Sequence, residues 1–93
     1  MIKIIELSTA YCAVCKMMAP MVKKTVAEFD SAEVSFEVLD ATQGEGKTLA
    51  TEHKVTQVPV FLFFNAAGEM VYRHNGAITA GLIKSKIAEI KGA

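Results

Sequence analysis

The chain has 93 residues, enough for one domain around one core. Apolar residues make up 52% of it, and ten basic residues balance ten acidic ones. This composition excludes a disordered chain, a basic nucleic-acid footprint and a charged patch for a membrane surface. No apolar run approaches the roughly 20 residues of a membrane span.

Ile2 to Leu7 is rich in β-branched residues and predicts a strand buried on both faces. Its Lys3 and Glu6 argue against a signal peptide. Ser8 to Tyr11 is a short loop. A helix is expected from about Cys12 to Phe29, with Met18, Val22, Val26 and Phe29 as its inner stripe and Pro20 kinking it. Val34 to Asp40 predicts a second strand and Gly44 to His53 a short helix. The long helix between the first two strands is the crossover that a parallel pair needs. Val58-Pro59 precedes Val60 to Phe64, the most apolar strand and so a central one. Asn65 to Gly68 is a hairpin turn, and Glu69 to His74 alternates as an edge strand does. Thr79 is a fitting N-cap for a last helix over Ala80 to Lys91, with Leu82, Ile83, Ile87 and Ile90 facing inward. The order is β-α-β-α-β-β-α: a parallel pair, then an antiparallel hairpin, in one domain over 1–93.

The chemistry lies in Cys12-Ala13-Val14-Cys15, which holds the only two cysteines. A bridge across so short a loop removes little entropy from the unfolded chain, so it reads as a reversible switch rather than a staple. The first turn of a helix brings residues i and i+3 within disulfide reach. It also aims free N–H groups and the positive end of the helix dipole at the first sulfur, which favours its thiolate. In the reducing cytosol, where a chain without an export signal is expected to reside, such a pair is catalytic or metal-binding more often than structural. The two histidines, His53 and His74, invite a zinc reading, but neither is expected near the cysteines and a structural site needs four ligands. No metal is expected.

The chain resembles the thioredoxin family over nearly its whole length. An aromatic residue before the first cysteine (Tyr11), a lysine after the second (Lys16) and a proline five positions beyond it (Pro20) are all thioredoxin-like. Val58-Pro59 resembles the family's cis-proline loop, Asn65 to Glu69 its hairpin, and Gly76-Ala77 its glycine loop on the substrate-docking side. Glu6 stands six residues before Cys12, where thioredoxins carry a buried aspartate. The resemblance implies an α/β thioredoxin fold in minimal form, a four-stranded mixed sheet with helices on both faces. It also implies a cis bond at Pro59, against the alternative of a trans proline opening a strand.

Several residues depart from the family pattern. Ala13-Val14 stands where thioredoxins carry Gly-Pro and glutaredoxins Pro-Tyr. The family's extra N-terminal strand and helix are missing. Phe36 replaces the lysine that pairs with the buried acid, and Val60 replaces the threonine after the cis-proline. The fold and exchange chemistry are expected to survive these changes, while the redox potential and the electron donor stay open.

The implied function is reduction of protein disulfides, with Cys12 as nucleophile and Cys15 as resolving thiol. Glu6 is the candidate proton acceptor for Cys15, its pKa raised by burial; the alternative is a carboxylate facing solvent at the strand end. Tyr11, Ala13, Val14, Val58, Pro59, Gly76 and Ala77 are the expected substrate-binding residues. Tyr11 would form an apolar wall beside Cys12, and Lys16 is either a local positive charge or a solvated side chain. Met17 and Met21 are assigned to core packing, with an adaptable rim for substrates as the alternative. No cofactor is expected beyond the Cys12–Cys15 disulfide, and an external donor, thioredoxin reductase or another dithiol, would supply electrons to a cytoplasmic monomer. Two rival readings are a glutathione-dependent, glutaredoxin-like reductase, disfavoured by the lack of a Gly-Gly stretch, and a non-catalytic interaction or redox-sensing module.

Overall fold

A computed structural model describes residues 1–92, so Ala93, the last residue of the expected domain, lies outside the described residues. The elements follow the order β1 (Ile2–Ser8), α1 (Ala13–Val26), β2 (Val34–Asp40), α2 (Gly44–Glu52), β3 (Val60–Phe64), β4 (Met70–Asn75) and α3 (Ala80–Lys91). They build one four-stranded sheet ordered β2-β1-β3-β4. β1 pairs with β2 in parallel, and β3 runs antiparallel to both β1 and β4. The most apolar strand, β3, is internal, because its alternate side chains have a core to fill on each face.

The period of two along each strand sorts these side chains between two cores. Ile2 and Ile4 of β1 and Phe61 and Phe63 of β3 pack with Val22 and Val26 of α1 and with Ile83 and Ile87 of α3. Ile5, Leu7, Val60 and Leu62 point the other way and pack with Ala50 of α2. Helices therefore cover both faces, two on one side and one on the other. Each large side chain removed from water in this way stabilises the fold by roughly 1.5–3 kcal/mol before conformational entropy is subtracted.

The element ends differ from the sequence expectations in small, physical ways. α1 stops at Val26 rather than Phe29. Its chain then tightens into i→i−3 bonds, with Glu28 N–H on the Thr25 carbonyl and Phe29 N–H on that of Val26. Phe29 still packs against the core from this turn. α2 ends at Glu52 with His53 as its cap. Glu69 belongs to the hairpin turn, where Asn65 Oδ1 accepts from the Glu69 N–H, and β4 begins one residue later and runs through Asn75. Met17 is a clear correction. It lies two residues after inward-facing Cys15, on the far side of the helix, and is 70% exposed rather than core. Met18 and Met21 do pack on the core.

α2 sits close to β2 at one glycine. A Cβ at Gly46 would collide with the Asp40 carbonyl, whereas one at Gly81 in α3 would meet nothing within 4 Å. Alanine is the better helix former at both. We therefore expect Gly81→Ala to stabilise the protein by about 0.5–1 kcal/mol, and Gly46→Ala to destabilise it by about 1–3 kcal/mol. Urea denaturation midpoints of the two variants check this opposition of sign.

Candidate redox site

The site lies at the end of the sheet where β1 finishes. Leu7 is paired with Val60 and Val60 with Asn75, so Ser8, Pro59 and Gly76 come to the same end. The chain leaves β1 there through residues 9–12 and enters α1. The Val58-Pro59 peptide bond is cis, and Pro59 is buried. The Pro59 carbonyl accepts from the Gly76 N–H at 2.8 Å. Gly76 has φ +91°, a left-handed conformation that disfavours any residue with a side chain. The Gly76-Ala77 loop is thus fastened to the cis-proline segment.

Cys12 is the N-cap of α1, with extended backbone angles of φ −93° and ψ 102°. Its sulfur accepts a hydrogen bond from the Cys15 N–H at 3.1 Å. A sulfur is unusual as a cap, because oxygen side chains normally fill this position. Here it receives one of the orphan N–H groups and lies at the positive end of the helix dipole. The first turn of α1 contains no acidic residue to offset that field. Cys12 and Cys15 are joined by a disulfide, their Cα atoms 5.3 Å apart. Cys12 is half-buried and Cys15 only 1% exposed, so an approaching reactant meets Cys12 first.

Glu6 is fully buried, and neither of its carboxylate oxygens has a hydrogen-bond partner among the described residues. Burial pushes its pKa from 4.5 up to about 7. The alternative of a solvent-facing carboxylate is therefore ruled out. Glu6 points to the same face as Ile2 and Ile4, toward α1, and its strand neighbours are Val38 on β2 and Phe61 on β3. Phe36 lies opposite Ile4 on that face, so the position that the resemblance assigns to a lysine offers the carboxylate no charge. Cys15 belongs to the inner stripe of α1 with Val22 and Val26. Both groups are buried, Glu6 two residues before the end of β1 and Cys15 three residues after the cap of α1.

The other expected site residues fall around this centre, with one exception in character. Ala13 and Val14 are exposed between the cysteines, Val58 is half-buried, and Ala77 is exposed beside Gly76. Tyr11 walls in nothing, because it occupies a turn that directs its ring outward and is 99% exposed. Lys16 is exposed in the first turn of α1. His74 is on the edge strand and His53 at the end of α2, and no group of three His, Cys, Asp or Glu side chains fit to hold a metal occurs among the described residues. Two clefts of 470 and 360 Å³ lie toward the hairpin at the opposite end of the sheet and include neither cysteine. A smaller one of 210 Å³ lies beside the cis-proline, lined by polar Thr56, Gln57, Arg73 and Asn75. What residue spacing does not disclose is a contact within the site: His74 reaches forward three residues and binds the Ala77 carbonyl.

A half-buried sulfur capping a helix, a buried partner sulfur one turn on, and a cis-proline at the same end of a mixed sheet define a thioredoxin-like redox protein. The thioredoxin family model matches residues 2–89. The chain belongs to the thioredoxin family. Comparison of the sequence with curated proteins gives no match. Among solved structures, a thioredoxin from Nicotiana alata is 27% identical with a TM-score of 0.77, covering 96% of this chain and 72% of that one. A thioredoxin from Fasciola hepatica is 26% identical with a TM-score of 0.78, covering 96% and 80%. A thioredoxin variant from Halobacterium salinarum NRC-1 has a TM-score of 0.80 at 24% identity, covering 96% and 74%, a likeness of fold. No helix among the described residues is long and apolar enough to cross a membrane.

Proposed function

We propose that the protein reduces disulfide bonds in other proteins, with Cys12 as the attacking thiol and Cys15 as the resolving thiol. The observation that carries this reading is the Cys15 N–H directed at Cys12 Sγ, 3.1 Å away. It favours negative charge on the outer sulfur, which is the form that attacks. In the reduced protein the Cys12 thiolate attacks one sulfur of a substrate disulfide, and the other substrate sulfur leaves as a thiolate. Cys15, deprotonated, then attacks Cys12 Sγ, and the second substrate sulfur leaves. The substrate gains two electrons, and the protein is left with the Cys12–Cys15 bond.

Glu6 takes the Cys15 proton in this scheme, directly or through one water. Its carboxyl is poised near neutral pH, where a general base works best. Tyr11, Ala13 and Val14 on one side, and Val58, Pro59, Gly76 and Ala77 on the other, form the docking surface. The Val58 backbone offers an edge to an extended substrate segment. An external dithiol donor, thioredoxin reductase or an equivalent, returns the two electrons, so the chain needs no bound cofactor. The setting that suits this direction of flow is a reducing cytoplasm.

Cys15→Ser provides the test. The variant can form the mixed disulfide but cannot resolve it. We expect it to accumulate covalent adducts with protein disulfides, seen as reductant-sensitive bands at higher mass on non-reducing gels. Cys12→Ser should form none. If neither variant gives adducts and both bind partners as the wild type does, the protein is a docking module and the proposed reaction is wrong. Supplying glutathione or thioredoxin reductase to the wild-type protein identifies the electron donor.

A further inference from the structure

We propose that His74 is a positioning residue for substrate docking: its imidazole holds the backbone of the Gly76-Ala77 loop. The inference rests on the reading that this loop belongs to the docking surface. Tyr72 and His74 stand two residues apart on β4 and pair with Phe63 and Phe61, so both lie on the face covered by α1 and α3. His74 Nε2 is 2.8 Å from the Ala77 carbonyl oxygen. A carbonyl only accepts, so Nε2 carries the proton. The Tyr72 hydroxyl lies 3.2 Å from Nδ1 and donates to it in the tautomer that carries its proton on Nε2.

Tyr72 is itself fixed. Its ring packs edge-on to Phe63 with centroids 5.4 Å apart, and the Lys86 ammonium of α3 lies 4.3 Å from the ring centroid. Lys86, Tyr72 and His74 thus form a continuous brace from α3 to the loop. On its other side the loop is held by the Gly76 N–H on the Pro59 carbonyl. Packing contributes little here, because Ala77 is exposed and Gly76 has no side chain; the next buried residue is Ile78. Ahead of core residue Ile78, two hydrogen bonds hold the backbone of Gly76 and Ala77, and one of them comes from His74.

His74→Leu keeps apolar bulk and removes the donor, and His74→Gln returns an N–H at about the place of Nε2. We expect the Gly76 amide of His74→Leu to exchange with solvent about threefold to tenfold faster, the range set by one hydrogen bond of ordinary net strength. The KM for a protein disulfide such as insulin should rise by a similar factor with kcat held, and His74→Gln should restore both. Tyr72→Phe, which deletes only the hydroxyl, should give a smaller increase in the same direction, and it carries the test if His74→Leu does not fold. Unchanged Gly76 exchange, a loss confined to kcat, or no rescue by glutamine would overturn the proposal. A wild-type protein that reduces no protein disulfide refutes the functional reading instead, and amide exchange then still decides whether His74 holds the loop.

Discussion

Glu6→Leu is expected to make the protein more stable than the wild type, and increasingly so as the pH rises from 4.5 to about 7. A fully buried carboxyl without a hydrogen-bond partner is destabilising, and more so when ionised. In the folded protein its pKa is raised from 4.5 to about 7 by that burial. Between those values the folded state holds a proton that the unfolded state has released. Stability therefore falls as pH rises through this window and levels off above it. One pKa unit corresponds to about 1.36 kcal/mol, so the pH-dependent part of the penalty is about 3 kcal/mol. Leucine removes the carboxyl and with it the slope. At pH 8 the gain should raise the melting temperature by roughly 10–20 °C for a domain of this size. Melting curves of both proteins between pH 4 and 8 check this. If their difference does not grow with pH, Glu6 is not the buried, uncompensated acid described above.

This penalty also says why the residue matters. A fold of this size has only about 5–15 kcal/mol of net stability, and an apolar side chain at position 6 would serve the core better. Natural cores keep unpaired ionisable groups mainly where chemistry needs a shifted pKa. The sheet turns Glu6 to the face that α1 covers, the face that also receives the buried side of Cys15, and the scheme proposed above uses it there as a proton acceptor.

Much of this architecture was legible in the residues themselves. The β-branched run at Ile2, the alternation after Glu69 and the Thr79 cap each carry a local signal with a local cause, and β1, β4 and the start of α3 lie where those signals put them, to within a residue. The resemblance to thioredoxins supplied what no local signal contains. The cis bond at Pro59 is one case, because nothing in the identity of Val58 requires it. For the burial of Glu6 the resemblance added a position to a local signal, the apolar residues that flank it on a strand read as buried on both faces.

Two features were not legible. Met17 and Met21 are both apolar and four residues apart, yet only Met21 packs inward, because Cys15 and Val22 set the phase of the helix. His74 read only as a residue of the edge strand, the zinc reading having been set aside. Its role depends on a turn at Gly76 that brings the Ala77 carbonyl back toward the ring, and that turn depends in part on the Pro59 carbonyl, far away in sequence. Such a contact is fixed by the tertiary structure and leaves no period or motif in the chain.

Glu6→Gln is expected to slow the resolving step and to remove its pH dependence near neutrality. The buried thiol of Cys15 is a poor nucleophile until it loses its proton, and burial in an apolar setting raises the pKa of a thiol. In the scheme proposed above, the carboxylate at position 6 accepts that proton. Loss of a positioned general base lowers such a step by about 10²- to 10⁴-fold. Glutamine nearly preserves the volume and cannot titrate, so the packing around Phe61 and Val38 should hold. The first step, attack by Cys12, depends on the helix N-terminus and not on Glu6, so its rate at a fixed pH should be unchanged. Rapid-quench measurements that follow formation and decay of the mixed disulfide separate the two steps. In the wild type, decay should accelerate through the region of pH 7, where burial has placed the carboxyl, and in Glu6→Gln that inflection should vanish while formation is unaltered. Equal decay rates and matching pH profiles in the two proteins would mean that Cys15 delivers its proton elsewhere, and that the buried acid serves some purpose other than exchange.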